Sequence, residues 1–315
     1  MKALDTVERE AFEPEAADAG KGAGRHHLRT LLYDRYVRYL FALSAALLAV
    51  ILFSILFFVG RQGLLTFAEV SPLEFFLESK WDPMEGRFGA LSFILGSVYV
   101  TVLSVAIGAP LGLLGALFMA KIAPGWLREI MRPATDLYVA IPSVVYGYLG
   151  LTVLVPFLRE FFAVNTGFGV MAASLVLSVM ILPTVISICE DAIRSVPRSL
   201  EEASLALGAT RWQTLRRVVL PAALPGVLTA VILAMARAVG ETMAVQMLIG
   251  NTPLVATSLF SPTSALTSNI VVEMGNTPFG STWGNALFLM ALVLLVLSLG
   301  MILLIRRIGA RRLAQ

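Results

Sequence analysis

The chain has 315 residues, 57% of them hydrophobic and 14% charged, with a net charge of +3 and a mean hydropathy of +0.82. Charged residues make up about a quarter of an ordinary soluble domain, so that class is excluded, and several stretches exceed the roughly 18 apolar residues that mark a transmembrane helix. Its one cysteine, Cys189, excludes an internal disulfide and a cysteine-cluster metal site.

In chain order, residues 1–34 are polar, acid-rich and Gly/Ala-rich without apolar periodicity, and read as a disordered tail. The first apolar run starts near Val37, too far in and too long for a cleaved signal peptide, and reads as a retained helix within 35–60. Five further apolar runs place helices at about 89–119, 135–157, 169–189, 224–249 and 285–305. The run at 89–119 carries Gly108, Pro110, Gly112 and Gly115 and is expected to kink or tilt. Pro142 and Pro183 sit inside the third and fourth runs, where neighbouring helices can satisfy the freed backbone groups. Residues 61–88 form an acidic connection whose Trp81 is expected at the membrane surface, 89–306 form one transmembrane domain, and 307–315 a basic tail.

Lysine and arginine give the direction. Arg61, Lys80, Arg87 and Arg159 fall on one side, 19 others fall on the opposite side, and Arg237 lies inside a span. A 19-to-4 split puts both termini in the cytoplasm under the positive-inside rule. His26 and His27, the only histidines, lie in the N-terminal tail, so a histidine base at membrane depth is not available.

Between the fourth and fifth runs lies a polar segment, 195–221, on the cytoplasmic side. Glu202-Ala203-Ser204, then Gly208, then Val218, Leu220 and Pro221 follow the spacing E-A-A-x3-G-x9-I-x-L-P with two mild substitutions. Ser199 is placed to cap a short helix, with Glu202 three residues on as in a capping box. That helix, 200–207, would end at Gly208 in the left-handed conformation. A second would run through Trp212 and Arg216 and stop at Pro221. The small residues Ala203 and Ser204 allow close approach to a partner, and Glu202 can pair with a basic group there. The plainer alternative is an amphipathic surface pair with no partner. None of the four lysines closes a G-x4-G-K-[ST] phosphate loop, so the chain carries no ATP-hydrolysing motif of that kind.

Arg237 and Glu241, near the middle of the fifth run, are four residues apart and so share one helix face. Charges at such depth are costly and are expected to face a cavity or a partner. An arginine fork suits an oxyanion. A glutamate beside it makes sense where the anion carries a proton that the carboxylate can accept, as phosphate does at neutral pH and sulfate does not. The alternative is a structural ion pair that locks the helix to its neighbours.

The 202–221 spacing resembles the EAA loop of prokaryotic ABC importer permeases, and two further segments sharpen the likeness. Arg237-Ala238-Val239-Gly240-Glu241-Thr242-Met243-Ala244 is similar to the R-A-x-G-E-T-M-A signature of phosphate-specific permeases, and Ile141-Pro142-Ser143-Val144-Val145-Tyr146-Gly147 is similar to their I-P-S-V-V-Y-G segment. From about Gly89 to the C-terminus the chain resembles the PstC-type subunit of the phosphate ABC importer. The resemblance implies an all-α polytopic membrane protein with the six-helix type I ABC importer permease fold, in the bacterial inner membrane, not itself an enzyme. It also implies a heterodimer with a paralogous permease, an ATPase homodimer and an extracytoplasmic phosphate-binding protein, with no cofactor, metal or nucleic acid. It assigns ATPase coupling to Glu202, Ala203, Ser204, Gly208, Leu220 and Pro221, and translocation to Arg237 and Glu241. The rival readings are a permease for sulfate, molybdate or phosphonate, and the PstA-type paralogue. An intramembrane enzyme is disfavoured by the lack of paired carboxylates or a metal-ligand cluster at depth, and a passive channel by the docking segment.

Overall fold

The computed structural model describes the backbone of residues 13–278 and 280–313, and side chains over 36–278, 280–307 and 309. Among the described residues, six helices are long and apolar enough to cross a membrane: Tyr36–Ala68, Leu91–Ile122, Ser143–Phe161, Val170–Arg194, Arg211–Gly240 and Thr282–Arg307. Contacts divide the chain into two units, Met1–Phe58 and Val59–Gln315.

The first helix, α1 (Glu13–Leu64), begins inside the stretch that composition assigned to a disordered tail, so that expectation fails over 13–34. Alanine, glutamate, leucine and arginine favour helix, and once the apolar half supplies a nucleus each added residue gains a hydrogen bond. Residues 1–12 lie outside the described residues. Within the first unit the side chains from Tyr36 to Phe58 stand largely exposed, Leu43 at 70% and Phe53 at 69%, which suits hydrocarbon and not water.

In the second unit, α2 (Pro72–Leu77) and a two-stranded hairpin, β1 (Trp81–Asp82) with β2 (Arg87–Phe88), precede α3 (Leu91–Leu117). Trp81 pairs with Phe88 across the hairpin and is 8% exposed. It lies in a core with Phe75, Phe93 and Met290, so its ring is covered by protein. Its Nε1 donates to both Glu273 oxygens at 2.8 and 3.0 Å, and the Trp283 indole donates to the same carboxylate at 2.7 Å. Burial pushes the Glu273 carboxyl above its usual range, against the pull of these indoles and Asn269. Its carrier α12 (Leu266–Met274) is thereby tied to the hairpin and to the start of α13 (Thr282–Leu313). That last helix runs on to Leu313, so most of the expected basic tail is a prolongation of it, favoured by arginines at a helix C-terminus.

The inner core surrounds α7 (Val170–Arg194), whose Ile181, Val185 and Cys189 are fully buried. It packs against α3 and against α10 (Leu220–Gly240). The glycines of α3 serve this packing: a Cβ on Gly108 would come within 2.7 Å of Ile181, and one on Gly112 within 2.6 Å of Val185. Small residues four apart let two membrane helices approach closely. A π-helical turn, Phe118–Ile122, extends α3 at its end.

Two of the expected spans are broken. The third does not start at 135. An amphipathic helix, α4 (Gly125–Ala140), ends before Ile141, whose ψ of 127° is extended, because the residue before a proline is barred from the helical region by the ring of Pro142. The span begins afresh as α5 (Ser143–Leu149), then a π turn and α6 (Val155–Phe161). The fifth span starts earlier than expected and stops at Gly240, and α11 (Met243–Leu248) follows separately.

Candidate functional site

Two places hold the residues singled out from the sequence. In the first, α8 (Arg198–Ala206) follows Pro197, with no side-chain cap, so Ser199 and Glu202 do not form the expected capping box. The helix starts two residues too early, at Arg198 after Pro197, for Ser199 to occupy the cap. Its end is as expected. Gly208 has a φ of +83°, its N–H reaches Leu205 O at 2.9 Å, and Ala209 N–H reaches Ser204 O at 3.2 Å. This pair of bonds is the Schellman ending that glycine favours. The next helix, α9 (Arg211–Thr214), carries the capping box that sequence reading missed: Thr210 Oγ1 accepts from Gln213 N, and Gln213 Oε1 accepts from Thr210 N. The spacing T-x-x-Q was a legible signal for it.

Pro221 does not stop this second helix. A π turn, Leu215–Val219, leads into α10, where Pro221 takes a first-turn position that needs no N–H donor. Glu202, Ala203, Gly208 and Pro221 are exposed, and Leu220 is half-buried. Ser204, which stands where the spacing has alanine, turns inward and shares a hydrogen bond of 3.0 Å with the buried Thr214. The neighbouring Glu201, not Glu202, makes an ion pair, with Lys121 from the π turn after α3. These two partners lie 80 residues apart, which no local pattern discloses. A cleft of about 480 Å³ opens between them, Leu205, Arg211 and Trp212.

The second place is the break in the fifth span. Glu241 has a ψ of 127° and lies past the end of α10, so it does not share a helix face with Arg237. Among the described residues no ion pair within 4.0 Å joins the two. Arg237 donates to Thr184 Oγ1 of α7 at 3.2 Å. Glu241 accepts from Thr242 N through Oε1, while its backbone carbonyl accepts from Thr267 of α12. Both are half-buried. The Ile141–Gly147 segment lies beside this break: a Cβ on Gly147 would come within 2.8 Å of Met247 Sδ and 3.1 Å of Ala244 Cα. Two helix interruptions, at Pro142 and Glu241, thus pack together through α5 and α11.

Residues 108–313 match the family described as binding-protein-dependent transport system inner membrane component. The chain is 52% identical over 263 residues to the probable ABC transporter permease protein YqgH of Bacillus subtilis, covering 82% of this chain and 85% of that one. It is 34% identical to the phosphate transport system permease protein PstC of Mesorhizobium japonicum, over 81% and 84% of the two chains. Among solved structures it resembles a chain of the MetNI methionine ABC transporter in an inward-facing conformation, with 25% identity and a TM-score of 0.51, over 75% of this chain and 98% of that one. A chain of the bacterial alginate ABC transporter shares the fold at 17% identity and a TM-score of 0.60, over 87% and 95%. The fold is therefore the all-α, polytopic one of type I ABC importer permeases. The chain belongs to the family of binding-protein-dependent transport system inner membrane components and is a permease subunit of an ABC importer.

Proposed function

We propose that the imported solute is phosphate and that this chain is the PstC-type half of the translocation pathway. One observation carries the reading: beside a helix break in the fifth span, Arg237 commits, among the described residues, one hydrogen bond to Thr184 and no ion pair. A guanidinium has five N–H donors, so most of its fork remains available to an oxyanion. Glu241 lies at the break itself, where a protonated anion can donate to it. The PstC relatives, named for phosphate transport, support the choice of anion. The protein's partners on this reading are a paralogous permease, an ATPase dimer seated on α8 and α9, and an extracytoplasmic phosphate-binding protein. Vesicles holding the assembled importer should take up phosphate when given ATP, and vesicles lacking this chain should not. ATP-driven uptake of sulfate in place of phosphate would overturn the choice.

On this reading both termini and the 195–221 segment face the cytoplasm, supported by the 19-to-4 charge split. Single cysteines introduced at Lys80 and at the exposed Met274, in a Cys189→Ala background, should react with an impermeant thiol reagent from outside. One at the exposed Arg211 should react only after the membrane is opened. The buried Asn269, 7% exposed, is unsuited to such labelling. Labelling of Arg211→Cys from outside would reverse the orientation.

A further inference from the structure

A small niche lies behind the break in the fifth span, lined in part by Glu241, by Ser97 and Thr101 of α3, and by Thr267 of α12. Its volume is about 10 Å³, close to the minimum that holds one water and far too small for a whole oxyanion. The hydroxyls around it are unequally committed. Thr267 donates to the Glu241 carbonyl at 3.2 Å. Ser97 Oγ accepts from Leu266 N at 2.9 Å, which leaves its own proton to give. Thr101 is 2% exposed as a residue and makes no side-chain hydrogen bond among the described residues, while its oxygen itself is not fully enclosed.

Ser92 of the same helix is likewise unbonded. Hydroxyls on a helix commonly bond back to the carbonyl four residues earlier, and Ser104, Thr135, Thr152 and Thr229 of this chain all do so. Thr101 has the same option at Ser97 O and does not use it. Its oxygen is not among the fully enclosed unbonded atoms, so it stays open to the niche it lines, and a molecule held there can reach it. The chemistry of the lining defines that partner. A hydroxyl oxygen can accept from Thr101 and donate to the Glu241 carboxylate at once. A bare anionic oxygen would satisfy Thr101 but be repelled by Glu241.

We propose that the niche binds one hydroxylic oxygen between Thr101 and Glu241, either a water or the protonated oxygen of the transported anion. If the occupant is the anion's oxygen, Thr101 sets preference for protonated anions; if it is a water, Thr101 positions that water against Glu241. The proposal rests on the reading of Arg237 and Glu241 as part of the substrate pathway.

The test uses the whole importer in vesicles, with Thr101→Val, which keeps the shape and removes the hydroxyl, beside Thr101→Ser, which keeps the hydroxyl. Thr101→Val should assemble normally and lower ATP-driven uptake about tenfold, the effect of a buried hydrogen bond, while Thr101→Ser should stay within about threefold of the parent. Wild-type uptake by Thr101→Val would overturn the proposal, as would equal loss in both variants, which points to packing alone. Structures of the importer with and without phosphate, detailed enough to show waters, separate the sources. Density in the niche in both states identifies a water, density only with phosphate identifies the anion's oxygen, and density in neither state overturns the proposal. The identity of the anion is scored separately on the parent protein. If the parent carries another anion, the phosphate reading falls, and the ratio between the two Thr101 variants on that anion still decides the niche.

Discussion

Arg237→Gln is expected to abolish phosphate uptake while leaving the importer assembled. Removing one preorganised donor to an oxyanion costs roughly 10²–10³-fold in turnover, and a neutral amide cannot compensate an anion stripped of water. Assembly should survive, because among the described residues the guanidinium makes one hydrogen bond, to Thr184, and no ion pair. The geometry also bears on a second variant, Arg237→Glu combined with Glu241→Arg. A structural ion pair would tolerate the exchange. Here Arg237 faces α7 and Glu241 lies past the end of α10 near α12, so the exchanged charges meet different surroundings. The double variant should remain inactive, and recovery of full uptake in it would defeat the translocation role.

Gly208→Val is expected to uncouple the importer. Gly208 holds a φ of +83°, which costs an ordinary residue about 1–2 kcal/mol and a β-branched one more. The penalty is conformational and not steric, since a Cβ there would meet nothing within 4 Å. It falls on the turn that sets α8 against α9, joined by Ser204 and Thr214. The variant should insert in the membrane, retain less ATPase on purification and lose most uptake. Gly208→Asn, which tolerates the left-handed region, should keep most of both. Full ATPase retention with normal uptake in Gly208→Val would separate this turn from coupling.

The six spans were legible because a bilayer demands about 20 apolar residues from each crossing helix, and hydropathy reports that directly. Hydropathy is blind to an interruption inside an apolar run. Pro142 was visible, and the restriction it places on Ile141 was the available signal for the break before α5. Nothing of comparable strength marks Glu241: Gly240 precedes it, but Ala238 and Val239 suit a helix that continues. The expectation that Arg237 and Glu241 share a face depended on that continuity and failed with it. At the 195–221 segment the left-handed Gly208 followed from its place after a short helix, whereas the Lys121–Glu201 pair and the Thr184 partner of Arg237 come from tertiary packing across distant segments. Thr101 gave no sign in the sequence, because its interest lies in a bond that it does not make.

The phosphate assignment stands or falls on what the importer carries. The most direct measurement is ATP-driven accumulation of labelled phosphate by vesicles containing this chain, its paralogous permease, the ATPase and the binding protein, with excess unlabelled arsenate or sulfate. Arsenate, which also keeps a proton at neutral pH, should suppress accumulation strongly, and sulfate should leave it nearly unchanged. Suppression by sulfate as strong as that by arsenate, or no phosphate accumulation at all, would contradict it.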